Sequence, residues 1–163
     1  MIILGIDPGT ATTGYGVVLV KDLNSKNKDN FKCLSYGSIK TSPEMAMPQR
    51  LKKINNELSK ILKEHKPKIM VVENLFFFRN IKTAMPVSQA KGVILLTAAK
   101  KNIPVHEFTP PQVKMLIAGS GKAEKIHVQK KIQSIFGMKE IPKPDDAADA
   151  LAIALTYVFA RNA

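Results

Sequence analysis

Hydrophobic positions alternate with others along the first residues of the chain. Ile2, Leu4 and Ile6 face one way and Ile3, Gly5 and Asp7 the other, the period-two signature of a strand. Pro8-Gly9-Thr10 breaks the run as a turn, and residues 14–20 resume it, which predicts a hairpin. Residues 21–30 are polar and read as an exposed loop. Residues 31–39 read as a third strand at a sheet edge, so the chain opens as an antiparallel meander. Residues 42–48 form a breaker-rich turn. Leu51, Ile54, Leu58, Ile61 and Leu62 then recur at helical spacing until Pro67 ends the helix. Residues 69–72 are continuously apolar, as suits a buried central strand reached by a crossover. Residues 80–101 predict a helix interrupted by Pro86 and Gly92, and residues 103–108 a short strand. Pro110 and Pro111 open a short helix carrying Val113, Leu116 and Ile117. Residues 123–136 form a basic helix with Val128, Ile132 and Ile135 inward, and the last helix covers residues 145–160. This order predicts the α/β class. The expected sheet is mixed and five-stranded, an antiparallel N-terminal meander plus parallel strands flanked by helices, in one domain over residues 1–163.

Composition narrows the function classes. No apolar run approaches the ~18 residues of a membrane span, and the N-terminus lacks the basic region and cleavage site of a secretory leader. Cys33 is the single cysteine, so neither a disulfide framework nor a thiolate metal site is expected, and a cytoplasmic location fits. Lys and Arg number 25 against 13 Asp and Glu, a formal charge of +12 with a pI near 9.8. Such an excess favours a polyanionic partner, nucleic acid first; the competing reading is a merely solubilising lysine-rich surface. His65, His106 and His127 lack a metal-ligand spacing, and the methionines read as core or loop filling. Gly119-Ser120-Gly121-Lys122 lacks the spacing of a phosphate-binding loop.

Against that charge, the placement of the acids carries information. Asp7 and Glu73 each end an apolar strand run, where a carboxylate is costly unless a cation, a proton or several donors compensate it. For Asp7 the competing reading is a turn residue bonding the amides of Gly9 and Thr10. Asp146 and Asp149 stand three apart and share a helix face among alanines that let the helix lie close to a sheet. Capping and the helix dipole account for Asp145 or Asp146, and less well for Asp149, a turn further in. Carboxylates gathered inside a basic protein suit hard divalent cations and metal-assisted phosphodiester hydrolysis.

The segments GIDPGTATTGYG, VVEN, QVK, Ala123-Glu124-Lys125 and DDAADALAIA, in that order over nearly the whole chain, resemble the RuvC family of crossover (Holliday) junction endodeoxyribonucleases. The resemblance implies an RNase H-like fold and a homodimer that resolves four-way DNA junctions in recombination and repair. The cuts would be paired, symmetric, Mg²⁺-dependent nicks leaving 5′-phosphates. It implies two Mg²⁺ per subunit, with Mn²⁺ able to substitute, and RuvA and RuvB as branch-migration partners. By motif match the catalytic, metal-holding carboxylates fall on Asp7, Glu73, Asp146 and Asp149. Asp145, four before Asp149, is left as the helix cap. Phe76, followed by Phe77 and Phe78, falls at the DNA-stacking aromatic, and Lys114 and Lys125 at DNA-contacting basic residues. The helix over residues 80–101 falls at the dimer contact.

Three other readings compete. Sugar-kinase and actin-like ATPases open with a similar hairpin, but one 163-residue domain is short for their two-lobed cleft. A non-catalytic DNA-binding module would have little use for the acids. An RNase H-like nuclease acting on RNA–DNA hybrids or pre-ribosomal RNA would share the fold.

Overall fold

The computed structural model describes residues 1–74 and 81–163, and the side chains of all of these except 81–83. Among the described residues five strands form one sheet in the order β3-β2-β1-β4-β5. They are β1 (Ile2–Asp7), β2 (Thr12–Val20), β3 (Phe31–Lys40), β4 (Ile69–Glu73) and β5 (Val105–Phe108). β1 to β3 are the expected antiparallel meander, with β3 at the edge. β4 lies parallel to β1, and β5 parallel to β4. The helices are α1 (Met47–His65), α2 (Ile81–Ala99), α3 (Pro110–Ala118), α4 (Lys125–Phe136) and α5 (Asp145–Arg161).

The strand alternation read from the sequence divides the interior in two. Leu4, Ile6, Val17, Met70 and Val72 pack with Ile54 and Leu58 of α1 and Ile94 of α2. Ile3, Val18 and Val71 face the other way, against Val113, Ile132, Leu151 and Leu155 from α3, α4 and α5. Each such side chain contributes roughly 1.5–3 kcal/mol through removal of its surface from water.

α5 lies unusually close to the sheet. Gly5 pairs with Gly16 and Asp7 with Gly14 across β1 and β2, so three glycines leave the floor beside Asp7 bare. A Cβ at Gly5 would overlap the Ala150 carbonyl oxygen and stand 2.6 Å from the Ala154 nitrogen; one at Gly16 would stand 2.8 Å from the Leu151 nitrogen. Fully buried Ala147, Ala150 and Ala154 complete the contact from the helix side.

Several details differ from the sequence reading. α1 starts at Met47 with Pro48 in its first turn, so residues 42–48 are not all turn. Lys66, in the left-handed region at φ 48°, ends the helix just before Pro67. The loop after β2 holds a 3₁₀ turn, Lys28–Asn30, and buries Asn30, whose amide donates to the Asp22 and Ser25 carbonyls. Met85 and Met115 are exposed helix residues and fill neither core nor loop. No described helix is long and apolar enough to cross a membrane.

Candidate active site

Parallel pairing of β1 and β4 brings two of the predicted acids together. Asp7 and Glu73 each stand one residue beyond the Ile6–Val72 pair. Asp7 follows Ile3 and Gly5 onto the α5 face, and Glu73 follows Ile69 and Val71 onto the same face. The first turn of α5 crosses above them. A Cβ on Gly14, the partner of Asp7, would overlap the Asp146 carbonyl oxygen. Asp146 and Asp149 therefore arrive over the same end of the sheet as Asp7 and Glu73.

The result is a crowded, poorly hydrated group of carboxylates. Burial, then the charges of Glu73, Asp149 and Asp146, push the Asp7 pKa from 3.8 to about 8, against a smaller opposing pull from Lys125. Burial, then Asp149, push Glu73 from 4.5 to about 7, with Lys125 and Lys114 opposing. Burial also holds Asp149 above the ordinary carboxylate range, although the Lys125 Nζ donates to its Oδ2 at 2.8 Å. Lys125 loses some basicity to burial and regains more from Asp149, Asp145 and Asp146, so its pKa lies above the usual lysine value. A cavity of about 180 Å³ beside the acids is lined by Glu73, Lys114, Lys125 and Asp149 with the apolar Val113 and Val128.

Asp7 is no turn cap: among the described residues it accepts no hydrogen bond from Gly9 or Thr10. Instead the Thr13 hydroxyl donates to the Gly9 carbonyl at 2.6 Å, and the Thr41 hydroxyl to the Thr10 carbonyl at 2.6 Å. The Arg50 Nε in turn donates to the Thr41 hydroxyl at 2.8 Å. Asp145 also departs from expectation. Pro144 is the N-cap of α5, and exposed Asp145 lies in the first turn with Oδ2 3.6 Å from the Lys125 Nζ. Phe76, with Phe77 and Phe78, lies outside the described residues.

One polar cluster at the same end of the sheet has no sequence signal. The Lys91 Nζ of α2 donates to Asn74 Oδ1 at 2.9 Å and to Glu107 Oε2 at 2.8 Å, tying the ends of β4 and β5 to the helix. Only the meeting of three distant segments reveals it.

Surplus carboxylate oxygen and charge at Asp7, Glu73, Asp146 and Asp149 match the donor preference of a hard divalent cation. As placed, no three His, Cys, Asp or Glu side chains among the described residues are gathered closely enough to hold one ion. Closure on a metal thus requires side-chain movement.

A mixed sheet in this order, with acids where β1, β4 and α5 meet, defines an RNase H-like nuclease. The family model for crossover junction endodeoxyribonuclease RuvC matches residues 3–157. The crossover junction endodeoxyribonuclease RuvC of Fusobacterium nucleatum is 46% identical over 158 residues, covering 97% of this chain and 80% of that one. That of Syntrophomonas wolfei is 48% identical over 158 residues, covering 97% and 88%. The solved structure of Thermus thermophilus RuvC in complex with a Holliday junction substrate superposes with a TM-score of 0.90 at 37% identity, covering 99% and 95%. The chain belongs to the RuvC family of crossover junction endodeoxyribonucleases, metal-dependent nucleases that act on Holliday junctions.

Proposed function

We propose that the chain works as a homodimer that nicks a four-way junction at two symmetric positions, with two Mg²⁺ per subunit held by Asp7, Glu73, Asp146 and Asp149 and with Mn²⁺ able to substitute. The observation that carries this reading is the convergence of four acids from β1, β4 and α5 in a chain of net charge +12. Partly buried and crowded together, these carboxylates call for a cation. Divalent ions held there supply activation of a water and neutralisation of the leaving oxygen.

The chain's own groups do the rest. Deprotonated Asp7 and Glu73 would supply oxygen ligands from the strand ends, and Asp146 and Asp149 from a helix seated in close contact with the glycine floor. Lys114 and Lys125, at the mouth of the cavity, pair with phosphate oxygens of the cut strand and oppose the charge that builds on phosphorus. Phe76 as the stacking aromatic rests on the sequence alone, and so do RuvA and RuvB as branch-migration partners and the cytoplasm as location.

A junction with two equivalent strands needs two cuts, and a two-fold dimer with one site per subunit delivers them. α2 offers a contact face: Met85, Gln89, Gly92 and Leu96 recur on one side of it and are exposed, and a Cβ on Gly92 would meet open space. A bare glycine flanked by Met85 at 67% and Leu96 at 54% exposure suits close packing against a second helix.

The test is incubation of purified protein with a mobile four-way junction and with linear duplex of matching sequence, in Mg²⁺ and in EDTA. Symmetric nicks in the junction alone, and only with Mg²⁺, are expected. Equal cutting of duplex, or better cutting of an RNA–DNA hybrid, would overturn junction resolution.

A further inference from the structure

Lys125 opens α4 and reaches across to α5, where its ammonium engages Asp149 at 2.8 Å and approaches Asp145 at 3.6 Å. The Asp149 oxygen wanted by a metal ligand set is therefore already taken by a cation of the chain itself. An ammonium and a divalent ion on the same carboxylate repel each other, so each weakens the other's hold on it. The lysine is free to leave. Its side chain is 50% exposed, its four-carbon stem is flexible, and Val128 and Ile132 anchor α4 in the core without its help. Lys125 and Lys114 both line the cavity beside Glu73 and Asp149, where an entering phosphate would meet them.

We infer that Lys125 is a displaceable internal counter-ion, held by Asp149 until a DNA phosphate draws it away, so that the junction and the divalent cation bind cooperatively. The inference rests on the reading of Asp149 as a metal ligand and adds what governs that ligand's availability. A strand phosphate entering the site offers Lys125 a new anionic partner and at the same moment releases Asp149 Oδ2. The Lys125 side chain is then the element with two arrangements that both ligands bias. Linkage makes the effect reciprocal: the factor by which junction tightens metal binding is the factor by which metal tightens junction binding. The device also discourages metal capture when no DNA is in place.

Mn²⁺ binding measured by electron paramagnetic resonance tests this on the full chain. It is run without DNA and with a junction whose crossover linkages are uncleavable 3′-methylene phosphonates. Wild type is expected to bind Mn²⁺ about tenfold or more tightly with the junction than without it, within the usual range of coupling. Lys125→Met is expected to bind Mn²⁺ about tenfold more tightly than wild type without DNA and to lose most of the junction's enhancement. Lys125→Arg, which keeps the cation, is expected to retain the enhancement. Lys122→Met removes an exposed lysine and controls for overall charge. DNA-free Mn²⁺ affinity of Lys125→Met equal to that of Lys122→Met, with the junction's enhancement intact, would overturn the inference while leaving the ligand assignment standing. Unchanged Mn²⁺ binding by Asp149→Asn would overturn the ligand assignment and the inference with it.

Discussion

Asp7 is a carboxylate that the fold keeps short of water and close to other carboxylates, and this has a consequence for stability. With its pKa raised from 3.8 to about 8, and that of Glu73 from 4.5 to about 7, the folded chain holds protons that the unfolded chain has released. The contribution of these two groups to stability is therefore fullest below about pH 4 and is lost as pH rises toward 7 and 8, because the native state binds more protons at these positions over that window. In EDTA, the Tm of wild type is expected to fall across this range relative to that of Asp7→Asn. The variant is expected to lead by about 5 °C or more at pH 8, measured by scanning calorimetry. Mg²⁺ added at pH 8 should raise the wild-type Tm and release protons, with little effect on the variant. Parallel pH curves for the two proteins would show that Asp7 is not held protonated. Asp7 and Glu73 were readable as acids that end apolar runs. The Lys91–Asn74–Glu107 cluster was not, because its residues lie on three segments that only the folded sheet brings together.

At the scale of elements, the site depends on how close α5 comes to β1 and β2. Gly14 is the case nearest the acids, since a Cβ there would overlap the Asp146 carbonyl oxygen, and the backbone cannot yield as a flexible side chain can. Gly14→Ala is expected to cost about 3 kcal/mol in urea unfolding and to lower nicking by more than its loss of folded protein explains. Normal activity and stability in this variant would mean that the seat of α5 is loose. The meander, the crossover helices and the buried central strand were all legible from periodicity. The first turn of α1 was not, because Pro48 reads equally well as a breaker or as a first-turn residue. Alanines in α5 signalled a close approach, but the matching glycines became meaningful only once β1 and β2 were paired in register.

At the scale of the molecule, symmetric cutting requires two sites in one assembly. Leu96→Glu places a charge at the C-terminal end of the exposed α2 stripe, on a residue that is 54% exposed. Sedimentation is expected to show a monomer, and any remaining cleavage should yield singly nicked junctions in place of resolved duplexes. A variant that stays dimeric and resolves junctions normally would move the interface elsewhere. The net charge of +12 announced a polyanionic partner, and the motif order announced the family. Which surface pairs two copies is a weaker signal, since an exposed apolar stripe on a helix looks in sequence like a partly filled core face.

Single-turnover nicking of a four-way junction by Asp7→Asn in Mg²⁺, alongside its junction affinity by gel shift, tests the central claim most directly. Loss of one carboxylate from the proposed metal-holding group is expected to slow cleavage ~100-fold or more while binding stays as tight or tighter. Cleavage within a few-fold of wild type would contradict the account, since the four acids would then not form the centre that cuts DNA.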